Sequence, residues 1–520
     1  FIIGTDEFEH FIDRNNLWEQ VAVESDFEKV KALFLESPLS EILVGRLRKV
    51  LSNIDKPLAI RSSGLFEDSL MQPFAGIFGT FLVPNNHPDP EVRLRQCLDA
   101  IRLVYASVCS PVARSYIEAI NYRLEEERMA VIIQEVVGNR YEDYFYPHIS
   151  GVAQSYNYYP FAHMKPEEGF AVAALGLGRY VVEGEKAFRF SPRYPTLEIA
   201  SPKDQLKSSQ SEFLAIDMKR TSPDFIRDGE EAGLVRLTID DAERQGTLRH
   251  CVSVFNPDNQ SIVPGLSKAG PRIVNFADIL KYNYIPLAST IDMVLDVVKE
   301  AMGAPVEIEF AVDLERDEEH KSSFYLLQIK PLIGAAGDYR VDLSVVDKEK
   351  CLLYSDKAMG NGRREDIFDI VYIPPERFDK LSTVEMAAEI EQINLLFREK
   401  NRKYLLIGPG RWGTRDRYIG IPVSWPQISN AAVIVETALE DFPLDASSGS
   451  HFFHNVTSMN VGYFSIIRPT GHSFIRYDRL ERLQEVGHWK YFRHLTLDHS
   501  VEVMMDGRQR MAVVVLNDDS

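Results

Sequence analysis

Apolar residues follow strand and helix periodicities in separate short segments of the first part of the chain. Residues 6–20 and 92–108 place apolar side chains at helical spacing, and residues 57–63 (PLAIRSS) are strand-like. Residues 129–137 (MAVIIQEVV) and 149–156 are rich in Val, Ile and other apolar residues, a composition typical of buried strands. This mixture predicts a sheet covered by helices rather than an all-helical or all-β region.

The pattern changes twice before the middle of the chain. Residues 201–212 (SPKDQLKSSQSE) are polar and predict a loop. Residues 306–332 hold two strand-like segments, VEIEFAVDL and FYLLQIKPL, and the small residues of 334–339 (GAAGDY) read as a linker. We therefore expect a first domain over residues 1–335 and a smaller second domain over residues 336–520.

The second domain begins with strands and continues with a helix at residues 382–401. Ser382 and Glu385 have the spacing of a capping box at the start of this helix. Strand-like residues 404–408 (YLLIG) and a Gly-rich turn follow. The second domain is therefore predicted to be of α/β type and the whole chain α+β. The apolar residues of the helix recur at helical spacing: Met386, Ile390, Ile393 and Phe397.

Composition and net charge indicate which classes of protein and of partner are compatible with this chain. Among the 520 residues, 45% are hydrophobic and 26% charged, as in ordinary globular domains, and the net charge is -19. Such an acidic chain is a poor nucleic-acid binder, although a local basic pocket for small phosphorylated ligands remains compatible with it. No apolar run approaches ~18 residues, and no signal peptide is visible, so we expect a cytoplasmic protein without a membrane partner. The opening FIIGT lacks Met and reads as a strand already under way, so the first domain is expected to be incomplete at its N-terminus.

The two strand-like segments of residues 306–332 carry the first chemical signal. Alternation puts Glu307 and Glu309 on one face of their strand, and Gln328 and Lys330 on one face of the next. If the strands form an antiparallel hairpin, two carboxylates, an amide and an amine converge. Oxygen ligands beside a cation suit magnesium-bound phosphates. A solvent-facing pair of strands with mixed charge is the alternative.

Two Gly-containing segments carry a second signal. In PLAIRSSGLFEDSLMQPFAGIFGTFL, Arg61 follows an apolar strand and offers a planar fork for phosphate. Hydroxyl groups and Gly backbone follow it, and AALGLGRYVVEGE adds a further Gly-rich turn. Plain surface loops are the alternative for both segments. The small or acidic residues concerned are Ser62, Ser63, Glu67, Asp68, Gly76, Gly79, Thr80, Gly176, Gly178 and Gly184.

Together these segments resemble the ATP-binding domain of the pyruvate phosphate dikinase and phosphoenolpyruvate synthase family, an ATP-grasp fold. AIRSSGLFEDSLMQPFAGIFGTF, VIIQEVV, SGVAQS, GLGRYVVEGE, EIEFAVD and YLLQIKP occur in the family's order over residues 1–335. The resemblance implies ATP contact by Arg61, metal contact by Glu307 and Glu309, and phosphate or metal-shell contact by Gln328. It implies that Gln134 lines the adenine, and that ATP and Mg²⁺ are the cofactors.

The chain also departs from the family. The family's Gly-rich segment with a phosphate-binding lysine lies upstream of the residues that resemble FIIGT, and the first metal-site acid, often Asp, is Glu307 here. The family's Thr-Ser-His phosphohistidine motif and its pyruvate-binding barrel have no counterpart in the sequence. ATP binding therefore transfers to this chain, whereas synthesis of phosphoenolpyruvate does not.

The second domain contributes two further motifs. GPGRWG, residues 408–413, has the letters of a dinucleotide fingerprint, but β-forming residues rather than a helix follow it, which argues against that function. An anion-binding turn using Arg411 and Arg415 and a structural Gly-Pro turn both remain open. In SSGSHFFHNVTS, His451 follows small residues that leave an imidazole accessible, so it is a candidate phosphoacceptor. His451 and His454 could also form a metal pair, although no third ligand is evident nearby. Hydrogen-bonded structural histidines are the remaining alternative.

The resemblance implies an ATP-dependent phosphotransferase, because members of that family use ATP to phosphorylate a histidine. The phosphoryl group of Mg-ATP would pass to a histidine, either His451 or one on a phosphocarrier domain or protein that acts as partner. The alternative is an ATP-sensing regulatory module that binds nucleotide without transfer.

Overall fold

A computed structural model describes most of the chain. The described residues are 1–24, 26–67, 76–119, 122–157, 164–198, 200–315, 321–332, 350–439, 442, 452, 456, 461–467, 473–507 and 509–516. Within these residues, no helix has the length and apolar character that crossing a membrane requires. Helices and several sheets are mixed along the chain, in agreement with the predicted α+β class.

The first sheet has the strand order β1-β4-β2-β3, and all its strand pairs are antiparallel. Its strands are β1 (Ile2–Ile3), β2 (Leu58–Gly64), β3 (Thr80–Val83) and β4 (Met129–Glu135). The helices of this region are α1 (Thr5–Arg14), α2 (Leu17–Val21), α3 (Phe27–Glu36), α4 (Glu41–Leu51), α5 (Pro90–Ser107) and α6 (Pro111–Ala119).

Alternation along β2 explains why this sheet has one covered face and one face with functional side chains. Leu58 and Ile60 are buried in the same hydrophobic cluster as residues of α1, α3, α4 and α5. Ala59 and Arg61 point to the opposite face. The sequence PLAIRSS therefore fixes the direction of Arg61 through the burial of its apolar neighbours.

The middle region contains three sheets. They have the orders β16-β15-β7-β8-β9, β11-β10-β6-β5 and β13-β12-β14. The strands are β5 (Asn139–Tyr141), β6 (Tyr144–Tyr146), β7 (Ile149–Gln154), β8 (Phe170–Ala174), β9 (Phe188–Phe190), β10 (Glu212–Asp217), β11 (Leu234–Thr238), β12 (Val252–Asn256), β13 (Ser261–Pro264), β14 (Arg272–Val274), β15 (Val306–Asp313) and β16 (Ser323–Pro331). The helices are α7 (Arg179–Val182), α8 (Pro202–Ser208), α9 (Ile239–Arg244), α10 (Ala277–Leu280) and α11 (Leu287–Met302).

Helix α11 covers one face of the five-stranded sheet. Its buried Ile291 and Leu295 lie in one cluster with Ile308 and Phe310 of β15. Because strand side chains alternate, burial of Ile308 and Phe310 directs the intervening acidic residues to the other face.

The C-terminal region holds a nine-stranded mixed sheet of order β18-β24-β23-β20-β19-β26-β27-β17-β25. The neighbours β19, β20, β23 and β24 are parallel, and the remaining pairs are antiparallel. Its elements, with the separate pair β21 and β22, are β17 (Cys351–Ser355), β18 (Ala358–Met359), β19 (Gly362–Tyr372), α12 (Thr383–Glu399), β20 (Lys403–Pro409), β21 (Arg411–Trp412), β22 (Gly420–Ile421), β23 (Ala431–Thr437), β24 (Gly462–Ile466), β25 (Phe474–Ile475), α13 (Tyr477–Arg482), β26 (Arg493–Asp506) and β27 (Met511–Val515).

Two local predictions are wrong. The predicted loop at 201–212 contains helix α8, because Ser201 caps its N-terminus by accepting a hydrogen bond from the Asp204 backbone N–H, and Pro202 occupies the first turn. The predicted helix α12 is present, but its capping box is not formed. Ser382 Oγ donates instead to the Asp379 carboxylate at 2.6 Å, and the Glu385 carboxylate accepts hydrogen bonds from outside the helix.

The GPGRWG segment leads into β21 and then β22 rather than into a helix. This agrees with the prediction that it is not a dinucleotide fingerprint, since a helix N-terminus is needed to face the pyrophosphate.

Candidate functional site

The hairpin of β15 and β16 brings the predicted polar side chains together. In the antiparallel register, Glu307 lies opposite Lys330 and Glu309 opposite Gln328, with a register shift after Glu309. The predicted hairpin is therefore present. Both acidic residues lie on the face that α11 leaves uncovered.

Arg61 joins this hairpin to the first sheet. Its Nη2 donates to Gln328 Oε1 at 2.5 Å and lies 3.5 Å from Glu309 Oε2. From the other side, Lys330 Nζ donates to Glu309 Oε1 at 2.8 Å. The Glu309 carboxylate thus lies between the side-chain cations of Arg61 and Lys330. Arg61 and Glu309 are 248 positions apart in the sequence.

Glu307 is buried deeper than Glu309. Only 2% of its surface is exposed, and Gln154 Nε2 on the neighbouring strand β7 donates to its Oε2 at 2.6 Å. Burial raises the pKa of the Glu307 carboxyl from 4.5 to about 7, although the nearby Lys330 ammonium and the Gln154 amide oppose this rise. Burial lowers the pKa of Lys330, but the Glu309 and Glu307 carboxylates outweigh it, so the net shift is upward and the ammonium is retained.

These groups have the chemistry of a partial magnesium site, which needs further oxygen donors to be complete. Within the described ranges, no three His, Cys, Asp or Glu side chains are arranged to hold a metal by themselves. Mg²⁺ is commonly held by one or two carboxylates together with phosphate oxygens and water, rather than by an all-protein cage. Glu307, Glu309 and the Gln328 amide oxygen form such a partial donor set, and Arg61 and Lys330 place positive charge beside it.

The loop after β2 is anchored by a buried carboxylate. Glu127 accepts hydrogen bonds from the backbone N–H groups of Leu65 and Phe66 at 2.6 and 3.3 Å. Ser62 Oγ donates to Glu67 Oε2 at 2.9 Å. These contacts fix the backbone that leaves Arg61. Asp68 and Phe74–Ala75 of the predicted phosphate loop lie outside the described residues.

A central cavity of about 560 Å³ lies between the first sheet and the five-stranded sheet. Three of the predicted binding residues, Arg61, Gln134 and Glu309, line it. Gln328 does not line the cavity but is hydrogen-bonded to Arg61, which does. Glu307 is buried behind the lining residues. The cavity is called the central cavity below.

A cluster of carboxylates and guanidinium groups forms another part of its wall. The Arg179 guanidinium contacts Glu183 at 2.5 Å, Glu230 at 3.1 Å and Glu231 at 2.8 Å. Glu230 also accepts a hydrogen bond from the Thr80 backbone N–H, the residue paired with Arg61 across the first sheet. Burial raises the pKa of Glu230 despite the opposing charge of Arg179.

The C-terminal region contributes to the wall through residues of the segment 413–427 and through Phe452. Arg411 Nη1 and Thr414 Oγ1 donate to the Gly184 carbonyl at 3.3 and 3.2 Å. The Arg415 guanidinium lies 3.0 Å from Glu183 and 3.1 Å from Glu231. The two arginines of the predicted anion-binding turn therefore contact carbonyl and carboxylate oxygens of the preceding region.

His451 and His454 lie outside the described residues, so their relation to the central cavity stays a prediction. Two features of the site were not predicted from the sequence, although both lie in or beside segments that the sequence analysis singled out. Gln154 lies in the segment SGVAQS, but its bond to Glu307 depends on the pairing of β7 with β15. The contribution of residues 413–427 depends on how two distant parts of the chain pack, and the only sequence signal was the arginine-bearing turn.

Comparison with known proteins gives one match and one negative result. A family model described as pyruvate phosphate dikinase, AMP/ATP-binding domain, matches residues 1–340. No curated protein matches the chain.

Proposed function

The chain belongs to the family of the pyruvate phosphate dikinase AMP/ATP-binding domain, and on this premise we propose that it is an ATP-dependent phosphotransferase. Residues 1–335 would form an ATP-grasp domain that holds Mg-ATP, and residues 336–520 a separate domain beside it. The observation that carries the proposal is the contact of Arg61 with both Gln328 and Glu309, which joins two sheets at the edge of the central cavity.

The residues that line the cavity and those buried beneath its wall would each have a distinct task. Glu307 and Glu309 would hold Mg²⁺, which neutralises phosphate charge when bound. Arg61 and Lys330 would orient the polyphosphate, and Gln134 would face the adenine. Catalysis would rest on positioning and charge neutralisation rather than on a protein acid or base.

The phosphoryl acceptor would be a histidine. Its imidazole nitrogen would form the P–N bond as the P–O bond to the leaving nucleotide or phosphate breaks, and the imidazole proton would pass to solvent. His451 is the candidate within this chain, and a phosphocarrier domain or protein is the candidate outside it.

Calorimetric titration with ATP tests the binding half of the proposal. We expect Glu309→Gln to lose the magnesium-dependent part of the ATP affinity, because one donor of the metal site disappears. Glu243→Gln removes a carboxylate that pairs with Arg272 outside the cavity and is the matched control. Equal ATP affinity in Glu309→Gln and wild type would contradict the assignment.

Incubation with ATP labelled separately at the β and γ positions tests the transfer half. Acid-labile, base-stable label on the protein is expected for a phosphohistidine, and loss of that label in His451→Ala would identify the acceptor.

A second candidate function is ATP sensing without transfer. It is favoured by the position of residues 413–427, which line the central cavity together with the nucleotide-binding residues. Tight ATP binding with no label on the protein would support this function and contradict a phosphoacceptor histidine within this chain.

A further inference from the structure

The segment that follows strand β20 leads from the carboxyl end of a parallel strand into the wall of the central cavity. Gly410 N–H donates to the Thr437 carbonyl at 3.0 Å, and Trp412 N–H donates to the Glu436 carboxylate at 3.0 Å. Both contacts fix the segment over the end of β23, the parallel neighbour of β20. Residues 413–415 continue from there and line the central cavity. In open α/β sheets, ligands bind beyond the carboxyl ends of the parallel strands, so this segment has the position of a ligand-binding loop.

Arg415 is the residue of this segment that brings positive charge to the cavity. It lines the cavity, and 52% of its side chain is exposed. Arg411 does not line the cavity, and its guanidinium donates to the Gly184 carbonyl. Of the two arginines in the predicted anion-binding turn, Arg415 is therefore the one positioned to contact a ligand in the central cavity.

The carboxylates that hold Arg415 do not depend on it alone. Its guanidinium lies 3.0 Å from Glu183 and 3.1 Å from Glu231. The Arg179 guanidinium contacts the same two carboxylates at 2.5 and 2.8 Å. Arg415 can therefore turn toward another anion while Arg179 continues to compensate the charge of these carboxylates.

This cluster lies on the side of the cavity that contains Arg61. Glu230, the third carboxylate of the cluster, accepts a hydrogen bond from the Thr80 backbone N–H, and Thr80 is paired with Arg61. Gln134 lies on β4, which β2 separates from Thr80 on β3. Because neighbouring strands are about 4.8 Å apart, the backbones of Thr80 and Gln134 are separated by about 10 Å or more. The cluster is thus closer to the proposed phosphate contact than to the proposed adenine contact.

We propose that Arg415 is a phosphate-binding residue and that its guanidinium donates to the terminal phosphates, β or γ, of bound ATP. A guanidinium presents a planar fork of N–H donors that matches phosphate oxygens. The C-terminal region thereby supplies a phosphate contact to a site whose other proposed contacts come from the first domain. This inference rests on the proposed binding of ATP in the central cavity, but not on phosphoryl transfer.

Calorimetric titration with Mg-ATP and with AMP tests the inference, because AMP lacks the two terminal phosphates. Arg415→Gln should lower the ATP affinity about ten-fold or more, the effect of one lost charge-assisted hydrogen bond, and leave the AMP affinity unchanged. Arg415→Lys keeps the positive charge and should lose less. Arg417→Gln is the matched control, because Arg417 lies in the same segment outside the cavity lining and contacts Tyr418. This variant should keep both affinities.

Glu231→Gln separates phosphate binding from docking of the segment. It removes one carboxylate partner of Arg415 and leaves the guanidinium in place, so the ATP affinity should be retained or increase. A loss of ATP affinity as large as that of Arg415→Gln would show that the ion pair only docks the segment and would overturn the inference. ATP and AMP affinities that fall by the same factor in Arg415→Gln would overturn it for the same reason.

Two further results separate this inference from the proposed function. An unchanged ATP affinity in Arg415→Gln would overturn the inference alone, because the ATP site would stand without this contact. A wild-type protein that binds neither ATP nor AMP would overturn the proposed function and the inference together.

Discussion

The buried carboxyl group of Glu307 predicts a stability that falls as the pH rises. Its pKa is raised from 4.5 to about 7 by burial, so the folded protein binds this proton more tightly than the unfolded chain does. The free energy of unfolding should therefore decrease between pH 4.5 and 7. Each pKa unit corresponds to about 1.4 kcal/mol, so ionised Glu307 destabilises the fold by about 3 kcal/mol above pH 7.

Glu307→Gln isolates this effect, because glutamine is close in shape and does not ionise. Its side-chain oxygen can still accept the hydrogen bond from Gln154. Relative to wild type, the variant should become more stable as the pH rises, with a difference about 3 kcal/mol larger at pH 8 than at pH 4.5. Urea unfolding in the absence of nucleotide and magnesium, over pH 4.5 to 8, measures this difference.

Glu243→Gln serves as the control for the pH series. The hydrogen bond with Arg272 lowers the pKa of Glu243, so this carboxylate stays ionised in both states above pH 5. The difference in the free energy of unfolding between this variant and wild type should be constant from pH 5 to 8. If Glu307→Gln also gives a constant difference, Glu307 is not the buried group that the geometry indicates.

Three further predictions concern the site and its scaffold. Arg61→Gln should weaken ATP binding at least about ten-fold by calorimetry, the size of one lost charge-assisted hydrogen bond, and unchanged affinity would argue against a phosphate contact. Magnesium should increase the ATP affinity more at pH 8 than at pH 6, because the Glu307 carboxyl must lose its proton before it can bind a metal. If Glu307 binds the metal, Glu307→Gln should remove this pH dependence. Gly151→Ala should lower the free energy of unfolding by about 2 kcal/mol in thermal unfolding, because the added Cβ would collide with the Val172 carbonyl oxygen. Gly45→Ala in helix α4 is the control: its added Cβ has no neighbouring atom within 4 Å, so the substitution should be neutral or stabilising.

Local alternation in the sequence was sufficient to predict the polar face of the hairpin. Ile308 and Phe310 are large and apolar, so their burial against α11 directs Glu307 and Glu309 to the other face. The same reasoning applies to Arg61, which follows the buried Ile60. In each segment the hydrophobic pattern determines the direction of the functional side chain without knowledge of its partner.

Contacts between distant segments could not be predicted in the same way. Glu307 differs from Glu309 because Gln154 and the surrounding core exclude water from it, and that difference depends on which strand pairs with β15. The failed capping box has a similar origin. Glu385 accepts hydrogen bonds from Lys490 and Tyr491, which are about a hundred residues further along the chain.

The charges of the site explain why nucleotide and metal are expected to bind together. Arg61 and Lys330 are both directed at Glu309, so in the ligand-free protein this carboxylate and the buried Glu307 balance the two cations. A polyphosphate that enters alone would gain the cations but would face both carboxylates when they are ionised. A divalent cation between the carboxylates and the phosphate removes that repulsion and leaves Arg61 and Lys330 free to turn toward phosphate oxygens. Under the proposed function, the polar cluster would therefore bind a metal-bound nucleotide better than a free anion, and the raised pKa of Glu307 would make this preference dependent on pH.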